Sequence, residues 1–268
     1  MIIINCIYTF ICRIIRLIIH FIKKYFYNFP SFEVDKVILL PTNEKPKVIL
    51  SWNIQELFLF TNKLKITNII KYLKRTNADI VCLQEAFEDK AKTRITEGLK
   101  EKYPYHLVGN SKKSYIVGED SGLLVLSKYP IIKIKFTPLK DLVLTDDLAN
   151  KGILYFTVQG VNFVNTHLQA FFETISMKQI QQLKEESPFN NQNYIVTGDL
   201  NNTNAHTFFG IKPNNKTITF PEDNEILDYI IPINQETENK IKIKTKVKKI
   251  NLENTSDHYP IKGYIKYL

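Results

Sequence analysis

Gly152-Ile153-Leu154-Tyr155-Phe156-Thr157-Val158-Gln159-Gly160-Val161-Asn162-Phe163-Val164-Asn165-Thr166-His167 reads as two apolar runs joined by a two-residue turn. Glycine at the second turn position accepts the positive φ that short hairpin turns demand, so the runs are expected to pair antiparallel. The flanks alternate strand-like and helix-like stretches, and a hairpin inside such a layout means that the sheets are not purely parallel.

On the C-terminal side, Glu173 to Glu186 has helical spacing, Tyr194 to Thr197 and Glu225 to Ile231 are short apolar runs, and a lysine-rich run follows them. On the N-terminal side, Ser121 to Ser127 and Ile131 to Phe136 flank Lys128-Tyr129-Pro130, which reads as a second hairpin. Val48 to Trp52 and Asp79 to Leu83 are strand candidates. Lys63 to Arg75 sets Leu64, Ile66, Ile69, Ile70 and Leu73 at helical spacing, and Lys90 to Lys102 turns Ile95 and Leu99 inward. Lys240, Lys242, Lys244, Lys246 and Lys248 alternate with Ile241, Ile243, Thr245 and Val247, the period of a strand with one lysine face. Two uses of that face stand open: an edge guarded against pairing, or a surface for an anion.

The chain has 268 residues, enough for one large domain, and its 36 Lys and Arg against 27 Asp and Glu give a net charge of +9. Such a surface favours anionic partners, nucleic acid or acidic lipid headgroups, without saying which. Cys6, Cys12 and Cys82 cannot make a disulfide framework and suit a reducing compartment.

Residues 1 to 29 differ from the rest. Asn5, Thr9, Arg13, Arg16, His20, Lys23 and Lys24 fall on one side of a helix that is otherwise Ile-, Leu-, Phe- and Tyr-rich. Arg13 and Arg16 in the middle of a spanning helix would each cost roughly 2.5 to 3.5 kcal/mol, whereas lying in the interface avoids that cost. An interfacial anchor, a spanning anchor and a helix packed on the domain remain as alternatives. The charges follow the apolar run, which disfavours a secretory signal. If the segment spans, the domain lies on the cytoplasmic side. Residues 30 to 46 read as a linker and residues 47 to 268 as the catalytic-size domain.

Polar residues recur where apolar strands end: Asn53, Glu85, His167, Asp199 with Asn201, Asp228, and Asp257-His258. One such residue is ordinary strand punctuation. A set drawn from Asn, Asp, Glu and His is a site hypothesis, because hard cations take carboxylate and amide oxygens while proton transfer takes imidazole. His106 and His206 fall outside this pattern.

The ordered words Ser51-Trp52-Asn53-Ile54-Gln55, Leu83-Gln84-Glu85, Ser121 to Ile131, Asn165-Thr166-His167-Leu168-Gln169-Ala170, Gly198-Asp199-Leu200-Asn201 and Ser256-Asp257-His258-Tyr259-Pro260-Ile261 resemble the endonuclease/exonuclease/phosphatase superfamily. Within it they look most like the neutral sphingomyelinases. The resemblance implies a four-layer α/β sandwich, two packed mixed β-sheets flanked by helices, to which the N-terminal amphipathic helix would be added. It implies Mg²⁺-dependent hydrolysis of a phosphoester, with Mn²⁺ as a substitute.

By the same resemblance Glu85 is the principal metal ligand and Asn53 lies beside it, holding metal or phosphate. His258 is the general base, oriented by Asp199 or Asp257. Asn201 binds phosphoryl oxygens, His167 lies near the leaving group or phosphate, Asp228 supports the second imidazole, and Lys151 faces the phosphate or solvent. Thr166-His167-Leu168-Gln169-Ala170, Leu227-Asp228-Tyr229-Ile230 and the anchor favour a membrane phospholipid, sphingomyelin, cleaved to ceramide and phosphocholine. The chain departs from the family in lacking an arginine before Leu227. A nuclease with nucleic acid as substrate and a phosphoinositide-type phosphatase are the alternatives. A membrane-associated monomer is expected, held to the membrane surface through residues 1–29.

Overall fold

Along Val48–Glu56 successive side chains face opposite layers, Ile49 into one apolar cluster and Leu50, Trp52 and Ile54 into another. A strand covered on both faces is apolar throughout, which is why it reads as a run rather than as an alternation. The computed structural model describes residues 44–57, 62–109, 119–143, 146–189, 191–210, 217–235 and 239–268. The expected membrane-associating helix at 1–29 lies outside them, as does the expected linker apart from residues 44–46. Among the described residues no helix is long and apolar enough to cross a membrane.

The elements run β1 (Val48–Glu56), α1 (Lys63–Arg75), β2 (Ile80–Ala86), α2 (Asp89–Leu99), β3 (Tyr105–Val108), β4 (Leu124–Ser127), β5 (Ile131–Pro138), β6 (Gly152–Val158), β7 (Val161–His167), α3 (Glu173–Glu185), β8 (Tyr194–Asp199), α4 (Ala205–Phe208), β9 (Asp228–Ile233), β10 (Ile241–Val247) and β11 (Ile261–Tyr267). They form a six-stranded sheet in the order β10-β11-β1-β2-β4-β3 and a five-stranded sheet in the order β5-β6-β7-β8-β9. Each sheet is mixed, with one parallel pair: β1 with β2, and β7 with β8. Those pairs are the ones bridged by α1 and α3, as a parallel connection requires.

Between the sheets lie Ile49, Cys82, Val125, Phe156, Phe163 and Ile195, with the Phe156 and Phe163 rings stacked at 5.5 Å. Outside the six-stranded sheet, Ile66, Ile69 and Leu73 of α1 and Ile95 and Leu99 of α2 pack on Leu50, Val81 and Leu83. Outside the other, Ile180 and Leu183 of α3 pack on Tyr155, Val164 and Val196. Three apolar layers therefore separate four structural ones. Full burial of each such side chain contributes about 1.5–3 kcal/mol before the opposing chain entropy.

The turn at Gln159 and Gly160 has φ of 48° and 75°, the positive pair expected of a two-residue hairpin. The other expected hairpin is corrected. β4 pairs with β2 and β3, whereas β5 pairs with β6, so Lys128-Tyr129-Pro130 carries the chain from one sheet to the other. The lysine run is the edge strand β10, with Lys242, Lys244 and Lys246 exposed and Ile241, Ile243 and Val247 in the core.

The sheets also share a buried polar bridge. Gln84 Nε2 donates to Asn165 Oδ1 at 2.7 Å, and Asn165 Nδ2 donates to the Leu83 carbonyl at 3.2 Å. A pair of amides in an apolar interface is satisfied in one alignment only, and a slip would strand both groups.

Gly198, on β8 beside Thr166 of β7, has φ of 140°, and a Cβ there would lie 1.9 Å from the Thr166 carbonyl oxygen. Gly198→Ala is expected to destabilise the domain by about 3 kcal/mol or more, since both the backbone angle and the contact oppose it. A urea midpoint close to that of the parent would overturn this expectation.

Candidate active site

The parallel pairs place their C-terminal ends together, the position where open sheets present polar side chains to a cleft. Asn53 of β1 donates from one amide nitrogen to Glu85 Oε1 at 2.8 Å and to Asp199 Oδ2 at 3.0 Å, joining β2 to β8 across the sandwich. Gln55, Glu85 and Asn201, at or just past these strand ends, have φ of 48°, 53° and 45°. Left-handed backbone is uncommon for such residues and clusters at functional sites.

His258 is buried, and its Nδ1 lies 2.8 Å from Asp228 Oδ2 while Nε2 faces Asp199 Oδ2 at 3.7 Å. Burial alone would lower the pKa of the ring, but Asp228 and Asp199 outweigh it and hold it up at about 10. The Phe220 ring covers the imidazole at 4.8 Å between centroids. Its loop is tied down as well: Trp52 Nε1 donates to the His258 carbonyl at 2.9 Å, and the Ser256 hydroxyl donates to the Asn53 carbonyl at 2.6 Å.

His167 occupies the other side of the carboxylates, with Nε2 at 3.9 Å from Glu85 Oε1 and 3.8 Å from Asp199 Oδ2. Lys151 Nζ sits 3.2 Å from that same nitrogen, donates to the Leu168 carbonyl at 3.2 Å, and pairs with Asp146 Oδ1 at 2.8 Å. Burial first, then Lys151 and His258, push the His167 pKa well below its ordinary value. The ring is therefore neutral, accepting from the ammonium at Nε2 and carrying its proton on Nδ1.

The geometry changes three sequence-based assignments. Asp228 serves His258, not His167. Asp257 does not orient His258, because its Oδ2 accepts from Gln55 Nε2 at 2.6 Å. Lys151 is 2 % exposed and belongs to the site rather than to solvent. Asn201 is half-buried; its backbone N–H donates to Asp199 Oδ1 at 3.0 Å and one side-chain N–H donates to the Leu168 carbonyl at 2.9 Å. His106 lies on β3 at the sheet edge and His206 in α4.

The strand-end pattern missed Gln55, Lys65, Asp146 and Phe220. Gln55 N–H donates to Asn53 Oδ1 at 3.1 Å, fixing which face of that amide meets the carboxylates, and Lys65 Nζ donates to the Gln55 carbonyl at 2.5 Å. A left-handed backbone at Gln55 and its contact with Lys65 of the following helix leave no local mark in sequence. The Cys82 thiol is pushed up to about 12 by burial and cannot act as a nucleophile.

A hard divalent cation fits this set. Glu85 and Asp199 are two carboxylates bridged by one amide, and burial pushes the pKa of both upward. Such crowding of negative charge is offset by a cation with oxygen ligands. Asp199, Asp228 and His258 also offer atoms within 4.8 Å of one another. An ion there would have to displace the proton shared by His258 and Asp228, whereas one at Glu85, whose side chain is 18 % exposed, would not. The amide oxygen of Asn53 already accepts from Gln55 and keeps a second lone pair.

The Endonuclease/Exonuclease/phosphatase family model matches residues 50–232. Sphingomyelinase C of Bacillus cereus is 29% identical over 184 residues, 57% of this chain and 54% of that protein, so the chain spans about half the length of the curated relatives it matches. Among solved structures, a beta toxin variant from Staphylococcus aureus with bound magnesium ions is similar with a TM-score of 0.63 at 21% identity, covering 83% of this chain and 100% of that one. TDP2 of D. rerio complexed with a single strand DNA product has a TM-score of 0.60 at 16% identity, covering 83% of this chain and 100% of that one. These two likenesses concern the fold.

Proposed function

The chain belongs to the endonuclease/exonuclease/phosphatase family, and from that premise we propose that it is a divalent-metal phosphodiesterase acting on a membrane phospholipid, with sphingomyelin split to ceramide and phosphocholine. The observation that carries the chemistry is the His258–Asp228 pair facing, through Asp199, the Asn53–Glu85 pair. The likeness to sphingomyelinase C supports the choice of lipid.

In this reading Glu85, with Asn53 beside it, would hold Mg²⁺, or Mn²⁺ in its place, which when bound would supply Lewis-acid polarisation of the phosphoryl group. His258 Nε2 would take the proton from the attacking water in the neutral form of the ring, which Asp228 and Asp199 make the minor form until the pH rises toward about 10. Asp228 keeps the other ring proton on Nδ1, and the imidazolium that forms lies between two carboxylates, so its charge is stabilised as it develops. The amide hydrogen of Asn201 that the Leu168 carbonyl leaves free would donate to a phosphoryl oxygen, whereas the Lys151 ammonium, whose three hydrogens go to His167, Leu168 and Asp146, would contribute its charge alone. Cys82, the one cysteine among the described residues, is not activated, which favours direct attack by water.

The test is a side-by-side assay of the full chain. Phosphocholine should be released from sphingomyelin vesicles with Mg²⁺ and not with EDTA. Cleavage of DNA without lipid turnover would transfer the protein to the nuclease branch, and release of inorganic phosphate from a phosphoinositide to the phosphatase branch.

A further inference from the structure

β10 and β11 pair antiparallel so that Lys242 stands opposite Lys266, Lys244 opposite Tyr264, and Lys246 opposite Lys262. These residues share the sheet face turned away from the other sheet, since the alternate positions Ile241, Ile243, Val247, Ile261 and Ile265 fill the core between sheets. Lys242, Lys244, Lys246, Lys266 and Tyr264 are exposed, and Lys262 is buried with Nζ on Asn77. Like charges directly opposite each other destabilise a sheet, and here two such pairs flank one tyrosine.

Guarding an edge against strand pairing explains lysines on β10, but not Lys262 and Lys266 on β11, which has a neighbour on both sides. The surroundings are basic as well. Lys248 and Lys102 lower the Lys262 pKa after burial does, and Lys102 reaches the carbonyls that end α1. α1 has no acidic residue and ends in Lys74 and Arg75. Residues 66–75, 240–249 and 261–268 together hold 11 of the 36 Lys and Arg and none of the 27 Asp and Glu. Without them the chain would be net negative, so the excess charge is a localised patch and not a general bias of composition.

We propose that this face of β10 and β11, with the adjoining end of α1, docks on an anionic lipid surface. The strands present lysines rather than arginines, and an ammonium acts as a point charge where reading a nucleic-acid phosphate or base edge favours the guanidinium fork. A single exposed tyrosine at the centre suits an interface, with its ring in the headgroup layer, better than a track of stacked bases, which takes several aromatics. Seven-residue strands make a flat face roughly 20 Å long, matched to a surface and not to a pocket. The patch is separate from the site residues, and its function does not depend on the phosphodiesterase reading.

Sedimentation of the full chain with phosphatidylcholine vesicles, with and without phosphatidylserine, tests it. The parent should show a phosphatidylserine-dependent gain that falls steeply with salt. The triple variant Lys242→Gln, Lys244→Gln, Lys246→Gln should weaken that gain on the order of 100-fold, about fivefold for each lysine. A control that changes Lys90, Lys133 and Lys178 to Gln should keep it. Turnover of a soluble phosphodiester should be unchanged in both, which reports folding and separates failure of the patch from failure of the site. An equal loss in both variants, or none in the patch variant, would overturn the proposal. Loss of single-stranded DNA binding in the patch variant with vesicle binding intact would assign the face to nucleic acid instead.

Discussion

Replacing His258 by alanine is expected to lower kcat/KM about a thousandfold, within the 10²–10⁴ range for a positioned general base. On the proposed mechanism the ring is the proton acceptor and its two nitrogens have separate tasks: Nδ1 is occupied by Asp228 at 2.8 Å and Nε2 faces Asp199 at 3.7 Å. Asp228→Asn should lose less, since the ring stays in place while its tautomer and its charge support are disturbed. Removal of the imidazole also leaves Asp228 buried without its partner, which destabilises the fold, so circular dichroism and a thermal midpoint must accompany the kinetics. Added imidazole should restore part of the rate if the missing group is a base. A variant that is folded and fully active would remove His258 from the mechanism.

Glu85→Gln should lower turnover by at least about a hundredfold through weakened cation binding. Its second signature does not depend on catalysis. A ligand at 100 times its Kd adds about 2.7 kcal/mol to stability, which for a domain of this size raises Tm by about 5–10 °C. The parent should show such a rise with Mg²⁺ and the variant should not. In EDTA the variant should be no less stable than the parent, because burial already raises the Glu85 pKa and so disfavours its charge. Full Mg²⁺ stabilisation in the variant would move the ion elsewhere, with Asp199, Asp228 and His258 as the remaining group.

Much of the architecture was legible in the sequence because most strands are buried on both faces and stand out as apolar runs. The helix at Lys63–Arg75 was read to its ends, with Asn62 capping it by accepting from Lys65 N–H. The mistaken hairpin at Lys128-Tyr129-Pro130 has a plain cause: two strands around a turn look alike whether they pair or pass into separate sheets. Only the partners of Leu124–Ser127 and Ile131–Pro138 decide it.

The site divides in the same way. Strand-end position singled out Asn53, Glu85, His167, Asp199, Asp228 and His258, which the fold brings together because the ends of these strands lie side by side. Pairings among them were not legible. Asp228 meets His258 and Asp257 meets Gln55 through contacts separated by 30 and 202 residues. Asp257 adjoins His258 in sequence and for that reason looked like its partner.

β11 comes last in order but lies between β10 and β1, and the His258 loop leads directly into it. During synthesis the ribosome therefore releases Asn53, Glu85 and Asp199 long before the strand that brings the base. On the proposed mechanism a nascent chain has the carboxylates without His258, and hydrolysis would start only when β11 slots in beside β1. In that reading the order of the strands would keep the growing polypeptide silent toward the proposed substrate.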